Sequence, residues 1–214
     1  MNRSKNELRI GIFGGSFDPV HTGHVCLAQD AVKQAALDEL IFVPAYIQPF
    51  KQDKKATASQ HRFEMLRLAA EGEDKFKISS YELDHPGVSY TYLTLRYMKE
   101  LYAKAAKQQG KELKIYFLCG TDSFLKLEYW KSAEELLTNY SFIIGSRPGY
   151  KQDELKETMN RIREKFGTES INIHNRLRDI SATEIRELIA GGHSISEVVP
   201  LAVEKYIEDH ELYR

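Results

Sequence analysis

The sequence predicts an α/β fold: a doubly wound, Rossmann-like parallel sheet with helices on both faces and a helical C-terminal segment. Apolar, strand-like runs alternate with segments of helical periodicity along most of the chain. Gly14-Gly15 directly follows the first apolar run, at the position where open α/β sheets bind ligands. Strands and helices in this order favour right-handed crossovers between parallel strands.

The N-terminal part of the chain carries the first three strand signals. Val25, Ala28 and Val32 recur at helical spacing, Pro44 stops the second apolar run, and Ser59 is suited to an N-cap. The predicted elements are a strand over 8–13, a helix over 23–36, a strand over 40–43, a helix over 59–72 and a strand over 76–80.

The remainder continues the alternation and ends in helices. Leu95, Met98 and Tyr102 lie along one helical face, and residues 113–119 form a strong strand signal. The predicted elements are a helix over 92–105, strands over 113–119 and 140–144, a helix over 153–166, a strand over 170–173, and helices over 181–190 and 201–210. We expect one domain over 1–214, with its helical part at about 180–214.

Composition excludes several classes of partner. The 30 Lys and Arg residues nearly balance the 31 Asp and Glu residues, for a net charge of -1, which excludes a globally basic nucleic-acid or membrane binder. No apolar stretch approaches the ~20 residues that span a bilayer, and the N-terminus lacks a secretory signal. We therefore expect a cytoplasmic protein with neither nucleic acid nor membrane as partner.

The loop over 14–24 carries the sharpest functional signal. Its two glycines allow a ligand to approach the backbone closely, and the following helix offers unpaired N–H groups to an anion. His21 and His24 are three residues apart, so both can face that helix terminus. Neither a dinucleotide fingerprint nor a P-loop is present, so the histidines must supply another chemistry.

Three interpretations of the histidines are open. Asp18, His21 and His24 include the residue types that bind zinc, although no fourth ligand lies nearby in the sequence. The histidines can also merely cap or pack. The third interpretation, two donors stabilising a transferred phosphoryl group, best suits the adjoining glycines and helix terminus.

Two separated motifs give the chain a family resemblance. Gly-Ser-Phe-Asp-Pro-x-His-x-Gly-His in the first loop and Ile-Ser-Ala-Thr-Glu-Ile-Arg over 180–186 resemble the nucleotidylyltransferase superfamily, and within it the bacterial nicotinate mononucleotide adenylyltransferases. The segments 89–92, 120–122, 129–130 and 147–149 resemble that family's pyridine-nucleotide pocket. The likeness extends from about residue 8 to Tyr213.

The resemblance implies that the 5′-phosphate of nicotinate mononucleotide attacks the α-phosphorus of ATP, giving deamido-NAD and pyrophosphate. It implies Mg²⁺ on the triphosphate and no metal bound by the protein itself. We expect His21 and His24 to be catalytic. Expected ATP and phosphate contacts are Gly14, Gly15, Ser16, Phe17, Lys51, Ile180, Ser181, Thr183 and Arg186; expected mononucleotide contacts are Thr91, Gly120, Thr121, Asp122, Trp130 and Arg147.

Part of this set also follows from the residues themselves. Ser181, Thr183 and Arg186 stand at the start of a predicted helix and would form a second anion site with its N-terminus. Lys51 can supply a movable charge or can be a solvated loop residue beside Lys54 and Lys55. Trp130 can offer a flat face for stacking an aromatic ring or can cover the core.

Two departures distinguish this chain from the family pattern. Phe50 stands where a third histidine usually precedes the loop lysine, and Ala182 stands where a second serine is common. If both positions face the ligand, each loss weakens phosphate binding by about 1–3 kcal/mol. Changed nucleotide preference or slower turnover would follow.

Other functions fit parts of the pattern. Within the superfamily, the acceptor can be nicotinamide mononucleotide or pantetheine phosphate, and the donor can be CTP. A non-catalytic nucleotide-binding module would not need both histidines together with Ser181, Thr183 and Arg186. A redox protein with bound NAD lacks its glycine fingerprint. Self-association into a homo-oligomer is left open.

Overall fold

The computed structural model describes residues 6–50, 56–146, 149–174 and 180–214. Its strands are β1 Glu7–Gly15, β2 Glu39–Pro44, β3 Phe76–Ile78, β4 Glu112–Gly120, β5 Ser141–Ser146 and β6 Ser170–His174. Its α-helices are α1 Thr22–Gln34, α2 Ser59–Ala69, α3 Tyr81–Asp84, α4 Thr91–Gln108, α5 Thr121–Leu125, α6 Ala133–Asn139, α7 Gln152–Phe166, α8 Ala182–Ala190 and α9 Leu201–Asp209; a 3₁₀ turn spans Leu127–Tyr129.

In the described residues the strands form one sheet of six in the order β3-β2-β1-β4-β5-β6. Every neighbouring pair is parallel; Ile12, for example, pairs with Ile41 on one side and Phe117 on the other. The strand order reverses between β1 and β4, which opens a crevice at their carboxyl ends. This confirms the predicted doubly wound sheet and places Gly14-Gly15 beside Gly120.

Side-chain alternation along the strands divides the core between the two faces of the sheet. In β4, Tyr116 and Leu118 pack into one cluster, whereas Phe117 and Cys119 pack into the other. The first cluster takes its helical residues from α1, α2, α8 and α9, and the second from α4, α5, α6 and α7. Helices therefore cover both faces, as a buried parallel sheet requires.

The strand and long-helix predictions are close to the structure, but the short helices α3, α5 and α6 were not predicted. Four to seven residues hold too few helical repeats for periodicity to show. Ser59 is the first residue of α2, and the N-cap is Ala58. Within the described ranges, no helix is long and apolar enough to cross a membrane.

Candidate active site

A large cavity of about 1320 Å³ lies at the carboxyl ends of β1 and β4. It collects residues from both ends of the sequence, so the first loop and the C-terminal motif share one site. The predicted residues that line it are Gly14, Gly15, Ser16, Phe17, His21, His24, Gly120, Thr121, Asp122, Ile180, Ser181, Thr183 and Arg186.

A second cavity of about 400 Å³ opens beside the first and is richer in aromatic side chains. The predicted residues Thr91, Gly120 and Trp130 line it, and the Trp130 ring stands edge-on to Phe117 with ring centroids 5.8 Å apart. The cavities share lining residues Gly14, Gly15, Ala45, Gln48, Gly120 and Ser123. Thr121 and Asp122, predicted on the mononucleotide side, line only the larger cavity; Lys51 and Arg147 fall outside the described residues.

The rings of the two histidines lie against each other, inclined by 30°, where helix α1 begins. His21 is the N-cap residue of α1, and its ring centroid lies 3.7 Å from that of His24. The backbone N–H of His21 donates to Nδ1 of His24 at 3.3 Å. Because this nitrogen accepts, the neutral His24 ring carries its proton on Nε2.

Burial keeps His21 neutral. Desolvation lowers the pKa of His21 from its ordinary value of 6.5 to about 4, although the nearby Glu184 carboxylate opposes the shift. Its Nδ1 atom is buried and has no hydrogen-bond partner among the residues that the structure describes. Such an orphaned group costs about 1–3 kcal/mol, so a ligand atom or water that pairs with it would recover part of that energy.

The buried side chain of Phe17 holds the first loop to the core. The side chain is 2% exposed, and its ring packs edge-on against Phe13 and Phe42 at centroid distances of 5.4 and 5.6 Å. A Cβ on Gly15 would meet the Phe17 ring at 3.0 Å, which explains the glycine there. Phe17 also lines the larger cavity, and its expected contact with ATP stays a prediction.

Arg62 of α2 fixes three segments of the cavity wall and was missed from the sequence. Its guanidinium donates to the carbonyl oxygens of Thr57, Ser16 and Ala45 at 2.9, 2.8 and 2.7 Å. The side chain is 1% exposed, and this burial lowers the pKa of Arg62. The negative charge of Asp18 acts in the opposite direction and raises that pKa. In the sequence Arg62 is simply an arginine within a predicted amphipathic helix. Such a pattern does not indicate which distant carbonyl groups the side chain will contact.

The Asp18 carboxylate has structural partners on both oxygens. Oδ2 accepts from the backbone N–H of Thr57 at 3.0 Å, and Oδ1 accepts from the Tyr213 hydroxyl at 2.7 Å. Within the described ranges, no group of three or more His, Cys, Asp or Glu side chains is placed to hold a metal ion. Asp18 acts here as an anchor for the loop, and the zinc interpretation gains no support from its geometry.

The C-terminal motif is arranged differently from the open anion site that was expected. Ser181 is the N-cap of α8: its hydroxyl accepts from the Glu184 N–H at 3.2 Å, and its own N–H donates to Oε2 of Glu184 at 2.7 Å. This capping box places a carboxylate at the helix terminus, where a phosphate would otherwise bind. Arg186 donates to the Asp18 carbonyl at 2.5 Å and to the Thr183 hydroxyl at 3.2 Å.

Other predicted residues also have partners that sequence reasoning did not supply. Asp122 accepts from the Lys151 ammonium at 2.9 Å and from the Tyr150 hydroxyl at 3.1 Å, and these bonds hold the pKa of Asp122 below its usual range. Ser16 donates to Oε1 of Gln48 at 2.9 Å. The Asp122–Tyr150 and Ser16–Gln48 bonds each join two residues that line the larger cavity.

Phe50, the first departure from the family pattern, lies at the smaller cavity. Its side chain is 70% exposed, and its ring centroid is 6.3 Å from that of Trp130. Phe50 therefore places an exposed phenyl ring beside the indole ring of Trp130. The family pattern, which has a histidine at position 50, did not indicate that this residue would lie next to Trp130.

Comparisons with known proteins agree on the family of this chain. The cytidylyltransferase-like family model matches residues 12–188. A "probable nicotinate-nucleotide adenylyltransferase" of Thermoanaerobacter sp. (strain X514) is 38% identical over 98% of this chain and 96% of its own length, and one of Clostridium novyi (strain NT) is 35% identical over 95% and 98%. The structure of the Plasmodium falciparum nicotinic acid mononucleotide adenylyltransferase complexed with NaAD superposes with a TM-score of 0.75 at 25% identity, covering 96% of this chain and 97% of that one. The chain therefore belongs to the cytidylyltransferase-like family, in the group that contains the nicotinate-nucleotide adenylyltransferases.

Proposed function

We propose that this protein transfers the adenylyl group of ATP to nicotinate mononucleotide, giving deamido-NAD and pyrophosphate in NAD biosynthesis. The observation that carries the proposal is the His21–His24 pair, which lies at the N-terminus of α1 in a cavity also lined by Gly14-Gly15 and adjoining the aromatic one. The relatives of this chain carry the same activity in their names.

The two cavities suit two substrates that must meet. The larger one can hold ATP beside the histidines and Arg186, and the smaller one can hold the pyridine ring against Trp130. Their shared wall at Gly14, Gly15 and Gly120 is where the reacting phosphates would come together. Holding the two anionic substrates in line lowers the activation barrier by up to about 7–11 kcal/mol, because the reactants have already lost translational and rotational entropy on binding.

The reaction needs no nucleophile from the protein. An oxygen of the mononucleotide 5′-phosphate forms a bond to the α-phosphorus of ATP, and the bond from that phosphorus to the pyrophosphate oxygen breaks. Negative charge spreads over the transferred group, and the Nε2–H of His24 is a donor for it. The neutral His21 ring offers its unpaired Nδ1 edge as a further partner, as donor or acceptor according to its tautomer.

Magnesium enters this scheme as part of the substrate, bound to the triphosphate of ATP. The described residues contain no three-residue cluster for a resident ion, and Asp18 and Asp122 already have other partners. When bound, the ion would neutralise charge on the triphosphate. The single domain over 1–214, the cytoplasmic location and any self-association remain predictions.

A panel of substrates tests the proposal. Pyrophosphate release is measured with ATP or CTP, each paired with nicotinate mononucleotide, nicotinamide mononucleotide or pantetheine phosphate. We expect the highest kcat/KM for ATP with nicotinate mononucleotide. A higher kcat/KM for CTP or pantetheine phosphate would indicate a different activity of the same family. If no pair releases pyrophosphate, a non-catalytic binding module would be favoured.

A further inference from the structure

The wall of the smaller cavity carries a cation that the proposed reaction does not use. Lys131 follows Trp130 and lines this cavity with an exposed side chain. Its Nζ lies 4.4 Å from the centroid of the Tyr90 ring, which holds the ammonium beside the first turn of α4. Across 6–50, 56–146, 149–174 and 180–214, no carboxylate lies within ion-pair distance of Lys131.

Lys131 shares the cavity wall with one other charged side chain among the described residues, Glu82. Glu82 is buried and accepts a hydrogen bond from the Thr94 hydroxyl, and burial raises the pKa of its carboxyl group. The Glu82 carboxyl group is already hydrogen-bonded to neutral hydroxyl donors. The N-terminus of α4, which has no acidic residue in its first turn, adds positive potential on the same side as Lys131.

The two pyridine mononucleotides differ in one group. They share the ring, the ribose and the phosphate, and one carries a carboxylate where the other carries an amide. Trp130 and Lys131 both line the smaller cavity, so a pyridine ring stacked on Trp130 would share that cavity with the Lys131 ammonium. A charge-assisted hydrogen bond to a carboxylate is roughly twice as strong as one to a neutral amide.

We propose that Lys131 is a specificity-determining residue whose ammonium binds the carboxylate of the nicotinate ring and selects the acid over the amide. This inference rests on the proposed function, because it places the pyridine ring in the smaller cavity. Thr91 was already expected to contact the mononucleotide. Lys131 would be a second, cationic contact that discriminates between the acid and the amide.

The test compares Lys131→Met with the wild type, using both mononucleotides in the pyrophosphate-release assay. We expect kcat/KM for the acid to fall about tenfold, equivalent to about 1.4 kcal/mol, with that for the amide within about twofold of wild type. Lys99→Met is the matched control: its Nζ lies 5.6 Å from the Tyr140 ring, and Lys99 lines neither cavity. That variant should leave both values unchanged.

Two results would overturn the inference. Equal losses for acid and amide would place Lys131 on the phosphate or ribose that both substrates share, and no change for either would remove it from recognition. Binding read from the fluorescence of Trp130, the only tryptophan in the sequence, gives the same comparison without turnover. If the wild type binds the acid more tightly in a Lys131-dependent way but releases no pyrophosphate, the proposed function fails and the recognition role stands.

Discussion

The hydroxyl of Tyr213 donates a hydrogen bond to Oδ1 of Asp18 at 2.7 Å, joining positions 195 residues apart. Tyr213 also lines the larger cavity, and burial, together with the Asp18 charge, raises its pKa. Through Asp18 the C-terminus holds the loop that carries the histidines. The same loop is held from α8 by Arg186, which donates to the Asp18 carbonyl.

Removing the Tyr213 hydroxyl should therefore affect both stability and ATP binding. We expect Tyr213→Phe to lower the free energy of unfolding by about 1.5–3 kcal/mol, as for a hydrogen bond to a charged group, and to raise KM for ATP severalfold. Urea unfolding and initial-rate kinetics measure the two effects. Tyr206→Phe is the control. The Tyr206 hydroxyl is 3.0 Å from Nδ1 of His61, neither residue lines either cavity, and its removal should leave KM for ATP unchanged. Wild-type values for Tyr213→Phe would show that the contact does not hold the loop.

The separation of Phe50 and Trp130 leads to a prediction about substrate stacking. Their ring centroids are 6.3 Å apart and their planes are inclined by 50°, so a rotation of the exposed Phe50 side chain would let a flat ring stack between them. We expect Phe50→Leu to weaken binding of nicotinate mononucleotide about 2–10-fold, the loss of one aromatic pair, with KM for ATP unchanged. Phe50→His, which keeps a flat ring, should retain activity.

Quenching of the Trp130 fluorescence measures this binding directly. If Phe50→Leu binds the mononucleotide as tightly as the wild type, Phe50 takes no part in stacking. A severe loss of activity in Phe50→His would show that the phenyl ring itself is required.

Burial of His21 should make stability depend on acidity. The pKa of His21 is about 4 in the folded chain and ordinarily 6.5, so the unfolded state binds more protons between these values. The resulting stability is fully present above pH 6.5 and is lost as the pH falls to 4, by roughly 3 kcal/mol. Urea unfolding at pH 7, 5 and 4 should show a flatter dependence for His21→Gln than for wild type. Parallel curves for the two proteins would contradict the burial of a neutral imidazole.

Local pattern was enough to predict the sheet and the first loop. Residues 115–119 form an apolar run because this part of β4 is buried on both faces, and Gly14-Gly15 marks the end of β1. The loop histidines were identified because their spacing and adjoining glycines all lie within one short segment.

Contacts between distant segments could not be predicted in this way. Tyr213 and Arg62 gain their roles from partners far away in the sequence, and nothing in their own neighbourhoods indicates those partners. The Ser-x-x-Glu pattern at 181–184 is typical of a capping box, and it overlaps the motif whose family resemblance implies phosphate binding.

The catalytic role of the histidine pair is tested most directly by His24→Ala. The measurement is the single-turnover rate of pyrophosphate release with saturating ATP and nicotinate mononucleotide, with circular dichroism to verify folding. His85→Ala, which alters a histidine outside both cavities, is the control. We predict at least an ~100-fold lower rate for His24→Ala and a wild-type rate for His85→Ala, as expected when a donor to the transition state is lost. A near-wild-type rate for a folded His24→Ala protein would contradict the account.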